Sequence, residues 1–406
     1  MEEFYYQIHD LVNVVVDARV DDKIVKQIDF QIGYFRSNLR SDIAPYQIVV
    51  KPFEDFQASS ECDLHTFHLV KGIPGKCLID NNARLAFVKQ KQGYTIYTDR
   101  GVLINLFIQF FLIEQGISLI HAAAIADRYG CVTLLPGAGG VGKTALLGYM
   151  VKEHNYRLLG DDIIGLNDQG YCLAFPRSFV LKEYHQSVYP EIFQRLNINI
   201  QQEKQRKLTY SINPTAQKFM RLIRENAPFL GITKSLLRRF KLYQKITRHS
   251  NETKNLPYLA TVPVEEIFGP GIVANRGEIE RILFLERYAG KQFKFAPLSE
   301  ESLCRRMFAI INHEWVEIMR QLFTIGALEI ENLPRYFDRL AATVRSGISG
   351  KKCEIFFIPD NASPRELEQY FIGHVNEIDV RNRSVVIRNE IDEEPATQNN
   401  SVNASI

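Results

Sequence analysis

The sequence predicts an α/β protein: an α/β core over residues 101–298, a mainly β region over 1–100 before it, and a helical region over 299–375 after it. Three observations carry this expectation. Residues 131–162 read as strand, glycine-rich loop, helix and strand in about thirty residues, the size of one βαβ unit. The first hundred residues hold short β-branched and aromatic runs, divided by turn signals such as Gly72-Ile-Pro-Gly75 and Asp80-Asn-Asn82. From Ser299 onward, apolar residues recur at helical spacing.

In the first region, strands are expected at Leu11 to Val16, Tyr46 to Val50, Leu64 to Val70, Arg84 to Val88 and Tyr94 to Tyr97. They suggest a small antiparallel sheet packed on the core and shaping its entrance. His65 and His68 fall on an alternating strand pattern without an acidic partner at useful spacing, so they read as strand residues rather than ligands. Val102 to Gln115 is helical, and Ile117 to Ala126 is a strand region opened by His121. The turn Asp127-Arg-Tyr-Gly130 leads to Cys131, which makes a hairpin. That hairpin puts His121 at one end of a sheet, and the residues alone leave the end open.

The central stretch, Gly137-Ala138-Gly139-Gly140-Val141-Gly142-Lys143-Thr144, fits G-x-x-x-x-G-K-[ST]. Glycines admit backbone conformations closed to other residues and bring N–H groups against phosphate oxygens. Lys143 adds a charge for the outer phosphates, and the Thr144 hydroxyl suits a Mg²⁺ coordination position. A helix beginning near Lys143 aims its positive dipole end at the same anion. The apolar run Cys131 to Leu135 feeds the loop. Ala145, Leu146, Leu147, Tyr149, Met150 and Val151 give the helix a buried face, and a strand at Tyr156 to Leu159 ends on Gly160-Asp161-Asp162. A right-handed crossover places this acidic pair beside the loop.

His121-Ala-Ala-Ala, the glycine loop and a Gly-Asp-Asp about 17 residues beyond Lys143 occur in the order in which HPr kinase/phosphorylase proteins carry them, and the segment resembles their catalytic core. That family shares its nucleotide-binding core with phosphoenolpyruvate carboxykinase. The resemblance covers His121 to Leu166 and, more loosely, the chain to Tyr288; it does not reach the first hundred residues. It implies an ATP-dependent kinase with an HPr kinase/carboxykinase-like P-loop core, a serine hydroxyl of a small protein or peptide as acceptor, and Mg²⁺ as cofactor. It implies nucleotide binding by residues 137–144, Lys143 on the transferring phosphate, Asp161 as base, Thr144 and Asp162 on the metal, and His121 near the transferred group. The residues alone leave the order of the two aspartates open. Adjacent carboxylates repel, and a bound cation relieves that repulsion.

Glu266-Ile-Phe-Gly-Pro-Gly-Ile-Val-Ala-Asn275 is similar to the family signature E-I-R-G-L-G-I-I-N, but Phe268 stands in place of its arginine and Pro270 in place of an aliphatic residue. An aromatic ring cannot hold phosphate as a guanidinium does. The departure implies a kinase without the reverse phosphorylase activity. Carboxykinase chemistry is disfavoured because no basic set for a dicarboxylic acid is evident. Two further readings stay open: phosphorylation of a small metabolite, and a nucleotide-gated regulatory protein that transfers nothing. The family's hexameric organisation makes a homo-oligomer an expectation.

Arg177 and Lys182, in the apolar region after Tyr171, read as surface cations or as contacts to an anionic substrate. Between Lys204 and Lys254 there are 13 Lys/Arg against two Glu, an excess at helical spacing that suits a solvated insertion over 201–260 or a dock for an acidic partner. No zinc-finger, RRM-type or helix-turn-helix signature supports nucleic acid. Arg281 to Leu285 is a core strand. Ser299 caps a helix, with Leu303 to Leu322 as core packing. A helix at Pro334 to Arg345 stops before Gly347; a strand at Cys353 to Ile358 and a short helix from Pro364 to Phe371 follow. Residues 390–406 are polar and acidic and are expected to be disordered.

The six cysteines, at 62, 77, 131, 172, 304 and 353, form no C-x-x-C pair and suit reduced thiols in a cytoplasmic protein without zinc. The acidic start, MEEFYYQIHD, does not suit a signal peptide. Leu103 to Ile125 is broken by Asn105, Gln109, Glu114, Gln115 and Gly116, so it reads as a buried helix and strand rather than a membrane span.

Overall fold

The computed structural model describes residues 3–56, 76–80, 84–198, 260–327 and 329–376. His65 and His68, the basic segment 204–254 and the tail 390–406 lie outside the described residues.

The chain is a mixed α/β protein built on two large sheets. The first contains β1 (Phe4–Ile8), β2 (Val12–Val16), β3 (Arg36–Ser37), β4 (Tyr46–Lys51), β5 (Lys76–Asp80), β6 (Leu85–Gln90) and β7 (Gly93–Thr98), in the order β3-β1-β2-β4-β7-β6-β5. It is not the antiparallel sheet expected. β4 runs parallel to both β2 and β7. Parallel neighbours need crossovers, and helix α1 (Asp22–Ile32) supplies one of them. Its signals were in the sequence: Asp21 caps it by accepting from the Lys23 N–H, and Ile24, Val25, Ile28 and Ile32 form its buried stripe. Helix α2 (Ile104–Glu114) packs on the same core. There Phe107 and Phe111 meet Tyr94, and Phe111 stacks on Tyr46.

The second sheet begins with a correction at the histidine. Ile117 to Ala126 is not one strand but two, β8 (Ile117–Ile120) and β9 (Ala122–Ala126), parted at His121. β9 pairs antiparallel with β10 (Cys131–Pro136) on one side and β11 (Arg157–Gly160) on the other; β8 leaves to pair with β12 (Ile164–Asn167). The strand–helix–strand unit therefore carries an antiparallel strand between its two parallel ones. The order is β11-β9-β10-β16-β13-β12-β8, with β13 (Tyr171–Leu173) and a long β16 (Arg276–Tyr288). β18 (Lys352–Pro359) joins the later half of β16 in parallel and is edged by β17 (Lys294–Pro297). The C-terminal region thus contributes to the central sheet as well as to its helices. A separate ribbon pairs β14 (Phe179–Leu181) with β15 (Ala260–Val262).

Alternation sorts this sheet into two buried faces. Ala123, Ile125, Leu135, Leu283 and Leu285 face helix α3 (Lys143–His154), α4 (Pro190–Arg195), α5 (Val264–Phe268) and a helix over 364–376. Ala122, Ala124, Val132, Leu134, Ile282 and Phe284 face α6 (Glu300–Glu314) and α8 (Leu333–Ile348). Fully burying a residue such as Leu146, Leu147 or Met150 of α3 is worth about 1.5–3 kcal/mol. Ser299 caps α6 as expected, accepting from the Ser302 N–H. That helix breaks at Trp315, and α7 (Val316–Ala327) begins beyond it. Among the described residues no helix is long and apolar enough to cross a membrane.

The N-terminal region is tied to the second sheet close to β13. His9 Nε2 lies 2.6 Å from the Ala174 carbonyl, Phe35 packs on Phe175, and the Ser178 N–H donates to the Phe30 carbonyl at 3.3 Å. Gly347 is also not where the sequence suggested: α8 runs through it instead of stopping before it. A Cβ there would come within 2.3 Å of the Asn167 carbonyl oxygen, so glycine lets α8 lie on β12. Gly347→Ala should therefore cost about 1–3 kcal/mol by overpacking. Urea denaturation reads this, and an unchanged midpoint would contradict the close approach.

Candidate active site

Local geometry brings the motif residues together. Ala122 lies opposite Pro136 in the β9–β10 register, which sets His121 beside the start of the glycine loop. This resolves which end of the sheet the histidine occupies. Gly160 lies opposite Ala124 on the other side of β9, so Asp161 and Asp162 emerge at the same end. Gly140 and Gly142 have φ of 83° and 112°, where an L side chain is strained. Gly142 is also the N-cap of α3, and no side chain caps that helix. Its first amides are left to an outside anion.

The resulting cavity, about 430 Å³, is lined by Gly139, Gly140, Gly142, Lys143, Thr144, His121, Asp161 and Asp162 from the expected set. Gly137 and Ala138 contribute through their carbonyls instead: the buried Lys143 ammonium donates to Gly137 O at 2.6 Å and to Ala138 O at 3.0 Å. Its Nζ also lies 3.3 Å from His121 Nε2. Val141 is buried, and its carbonyl accepts from Arg287 Nε at 3.3 Å, a brace from the end of β16. A larger cavity of about 660 Å³, near Lys89, Glu114, Glu331 and Arg335, contains none of the motif residues. Four of its charged residues pair with one another, Lys89 with Glu331 and Arg335 with Glu114.

The two aspartates differ. The Thr144 hydroxyl donates to Asp161 Oδ2 at 2.7 Å, while the buried Asp161 Oδ1 has no hydrogen-bond partner. Burial, aided by repulsion from Asp162, raises the Asp161 carboxyl to about 6. For Asp162, burial pushes upward but is outweighed by Arg177, His121 and Lys143, and its carboxyl titrates below the ordinary range. Arg177 meets Asp162 Oδ2 at 2.6 Å, and His121 Nδ1 lies 3.4 Å from Oδ1. Burial lowers the His121 ring to about 4, and it also lowers Lys143. Thr144 and Asp162, the two expected metal ligands, are thus not bonded to each other in this arrangement.

Further residues line the cavity; two of them, Arg177 and Lys182, read in sequence as surface cations or as contacts to an anionic substrate, and the others carry no site signal. Arg177 and Lys182 line its wall rather than facing solvent, with His185 nearby. Phe30 of α1 lies under Arg177, its ring centroid 4.7 Å from the guanidinium carbon. Trp315, read from periodicity as helix packing, and its neighbour Glu314, which carries no sequence signal, reach the cavity. The Gly139 N–H donates to Glu314 Oε1 at 2.8 Å, and Trp315 meets the His121 ring edge-on. No local signal announces these last contacts, because Gly139 and Glu314 are 175 residues apart and His121 and Trp315 further still. None of residues 266–275 lines the cavity. Phe268 instead packs against Phe179 and Tyr189. Cys172 and Cys304 are buried free thiols.

Among the described residues no three His, Cys, Asp or Glu side chains form a ready metal cage. Mg²⁺ needs only one or two protein oxygens beside phosphates and water. The Thr144 hydroxyl, Asp162 and the unpartnered Asp161 oxygen form a hard-oxygen set that fits it. No protein-family model matches this chain, and a search of curated proteins finds no match.

Asp161 and His121 give opposite pH signatures. Between its ordinary 3.8 and about 6, Asp161 keeps in the fold a proton that the unfolded chain has lost, so stability falls as pH rises through that window. The unfolded His121 binds a proton below 6.5 that the fold refuses down to about 4, so its contribution rises with pH across that range. Asp161→Asn removes the first slope and leaves the second. The stability of this variant should climb more steeply from pH 4 to 6.5 than that of the wild type, and exceed it at pH 7 by about 1–3 kcal/mol. Denaturation at several pH values measures this, and parallel profiles would contradict the buried-carboxyl account.

Proposed function

We propose that this chain is an ATP-dependent phosphotransferase with an HPr kinase-like P-loop core, moving the γ-phosphate to a hydroxyl, with serine of a small protein or peptide as acceptor. The observation that carries the reading is convergence: uncapped helix amides, Lys143, the Thr144–Asp161 bond, Asp162 and His121 share one cavity. A second observation supports it. A carboxylate oxygen of Glu314 rests on the Gly139 N–H, where a phosphate oxygen would rest, so the loop already attracts an oxyanion.

The roles follow from the environments. Amides of Gly139, Gly140 and Gly142 surround the phosphates, and Lys143 exchanges the Gly137 and Ala138 carbonyls for phosphate oxygens. Asp162 and the Thr144 hydroxyl would hold Mg²⁺, which supplies neutralisation of the charge developing on the phosphates. Asp162 suits this because it stays ionised. Asp161, raised to about 6, accepts the acceptor's proton near neutral pH more effectively than an ordinary carboxylate. His121, neutral at that pH, offers a ring nitrogen beside the acceptor without adding charge.

The alternative of a nucleotide-gated regulator draws on Glu314, since a phosphate must displace it and so disturb the junction of α6 and α7. Transfer of ³²P from labelled ATP to candidate serine peptides and hydroxy metabolites decides between the readings. The wild type should label an acceptor, with Lys143→Ala and Asp161→Asn each reduced by about 10²-fold or more. Label on metabolites alone would move the acceptor class. ATP binding without transfer or hydrolysis would favour the regulator, and no ATP binding would remove both readings.

A further inference from the structure

We propose that Arg177 is a catalytic residue, an inference that rests on the phosphotransferase reading. In the loaded site its guanidinium leaves Asp162 for the equatorial oxygens of the transferring phosphoryl group. Arg177 stands on the cavity wall formed by the link between β13 and β14. One guanidinium nitrogen contacts Asp162 Oδ2, and its other N–H groups are spent on no other described residue. Such a planar fork of donors matches phosphate oxygens better than a point charge does.

The fork is held in place from a distant part of the chain. The Phe30 ring lies against the guanidinium, and the Ser178 N–H bond to the Phe30 carbonyl fixes α1 to the residue next to Arg177. Phe30 is therefore a positioning residue. Lys182, on the same wall, has no ion-pair partner among the described residues and adds positive potential there.

In the transfer, the bond from the γ-phosphorus to the bridging oxygen breaks, and its electron pair stays on ADP. The acceptor oxygen forms the new bond to phosphorus, and its proton passes to Asp161. Arg177 makes and breaks no covalent bond. Its contribution is electrostatic, strongest when charge spreads over the three equatorial oxygens. Asp162 holds the same guanidinium at the cavity wall, which orders the arginine for that task.

Binding of Mg·ADP to the full chain, with and without aluminium fluoride, tests this independently of the acceptor. Aluminium fluoride takes the place of the transferring phosphoryl group. Fluorescence of Trp315, the sole tryptophan, and calorimetry both read binding. The wild type should bind Mg·ADP about tenfold or more tightly when aluminium fluoride is present. Arg177→Met should keep its affinity for Mg·ADP and lose that gain, and Arg177→Lys should recover part of it. Phe30→Leu should lose part of the gain while its melting temperature stays near that of the wild type. A full gain in Arg177→Met, no gain in the wild type, or an equal loss of affinity with and without aluminium fluoride would overturn the proposal. A wild type that binds no Mg·ADP removes the nucleotide reading and this proposal with it.

Discussion

The register of one short strand fixes the site. β9 lies between β10 and β11, and its pairings set Ala122 opposite Pro136 and Ala124 opposite Gly160. From this follow the nearness of His121 to the glycine loop and of the aspartates to Thr144. A slip of one residue would exchange the two faces of β9 and carry the histidine away from the lysine. Ala122, Ala123, Ala124 and Ala126 are all buried, so neither face has polar residues to favour another register. The break at His121 has the same origin. Its two flanking strands obey different neighbours, and the residue at the parting is free to turn into the cavity.

Within that frame, neighbouring aspartates have opposite environments. Asp161 is buried against a hydroxyl and keeps its proton longer; Asp162 is met by an arginine and gives its proton up early. Divergent environments of this kind are how two identical side chains come to hold different tasks. The arginine responsible is itself held by an aromatic ring from the first sheet. The N-terminal region, without a motif of its own, thus acts on the electrostatics of the site.

Local chemistry made part of this legible in the sequence. The loop, its lysine and threonine, and the Gly160 turn follow from spacing alone, and Ser299 announced its helix through a side-chain cap. What remained hidden depended on distance along the chain. Arg177 and Lys182 read as surface cations or as substrate contacts, and only the fold sets both on the cavity wall, with Phe30 against the Arg177 guanidinium. Trp315 continues a helical periodicity, and only the fold turns it and Glu314 toward the cavity. Gly347 resembled a stop signal because glycine ends helices and also permits close packing, and nothing nearby separates the two uses. α1 is different, since its cap and apolar stripe are local signals, masked by the β-branched runs around them.

Glu314 closes α6, where the helix dipole disfavours a negative side chain. The amide of Gly139 offsets that disadvantage, which makes the carboxylate a tenant without a better address. Under the proposed phosphotransferase reading, a diphosphate would compete with this carboxylate for one N–H, and return of the carboxylate would assist its departure. On that reading, turnover would swap one oxyanion for another instead of leaving bare amides to be rehydrated, and the residence time of a spent nucleotide would depend on a residue outside the chemistry.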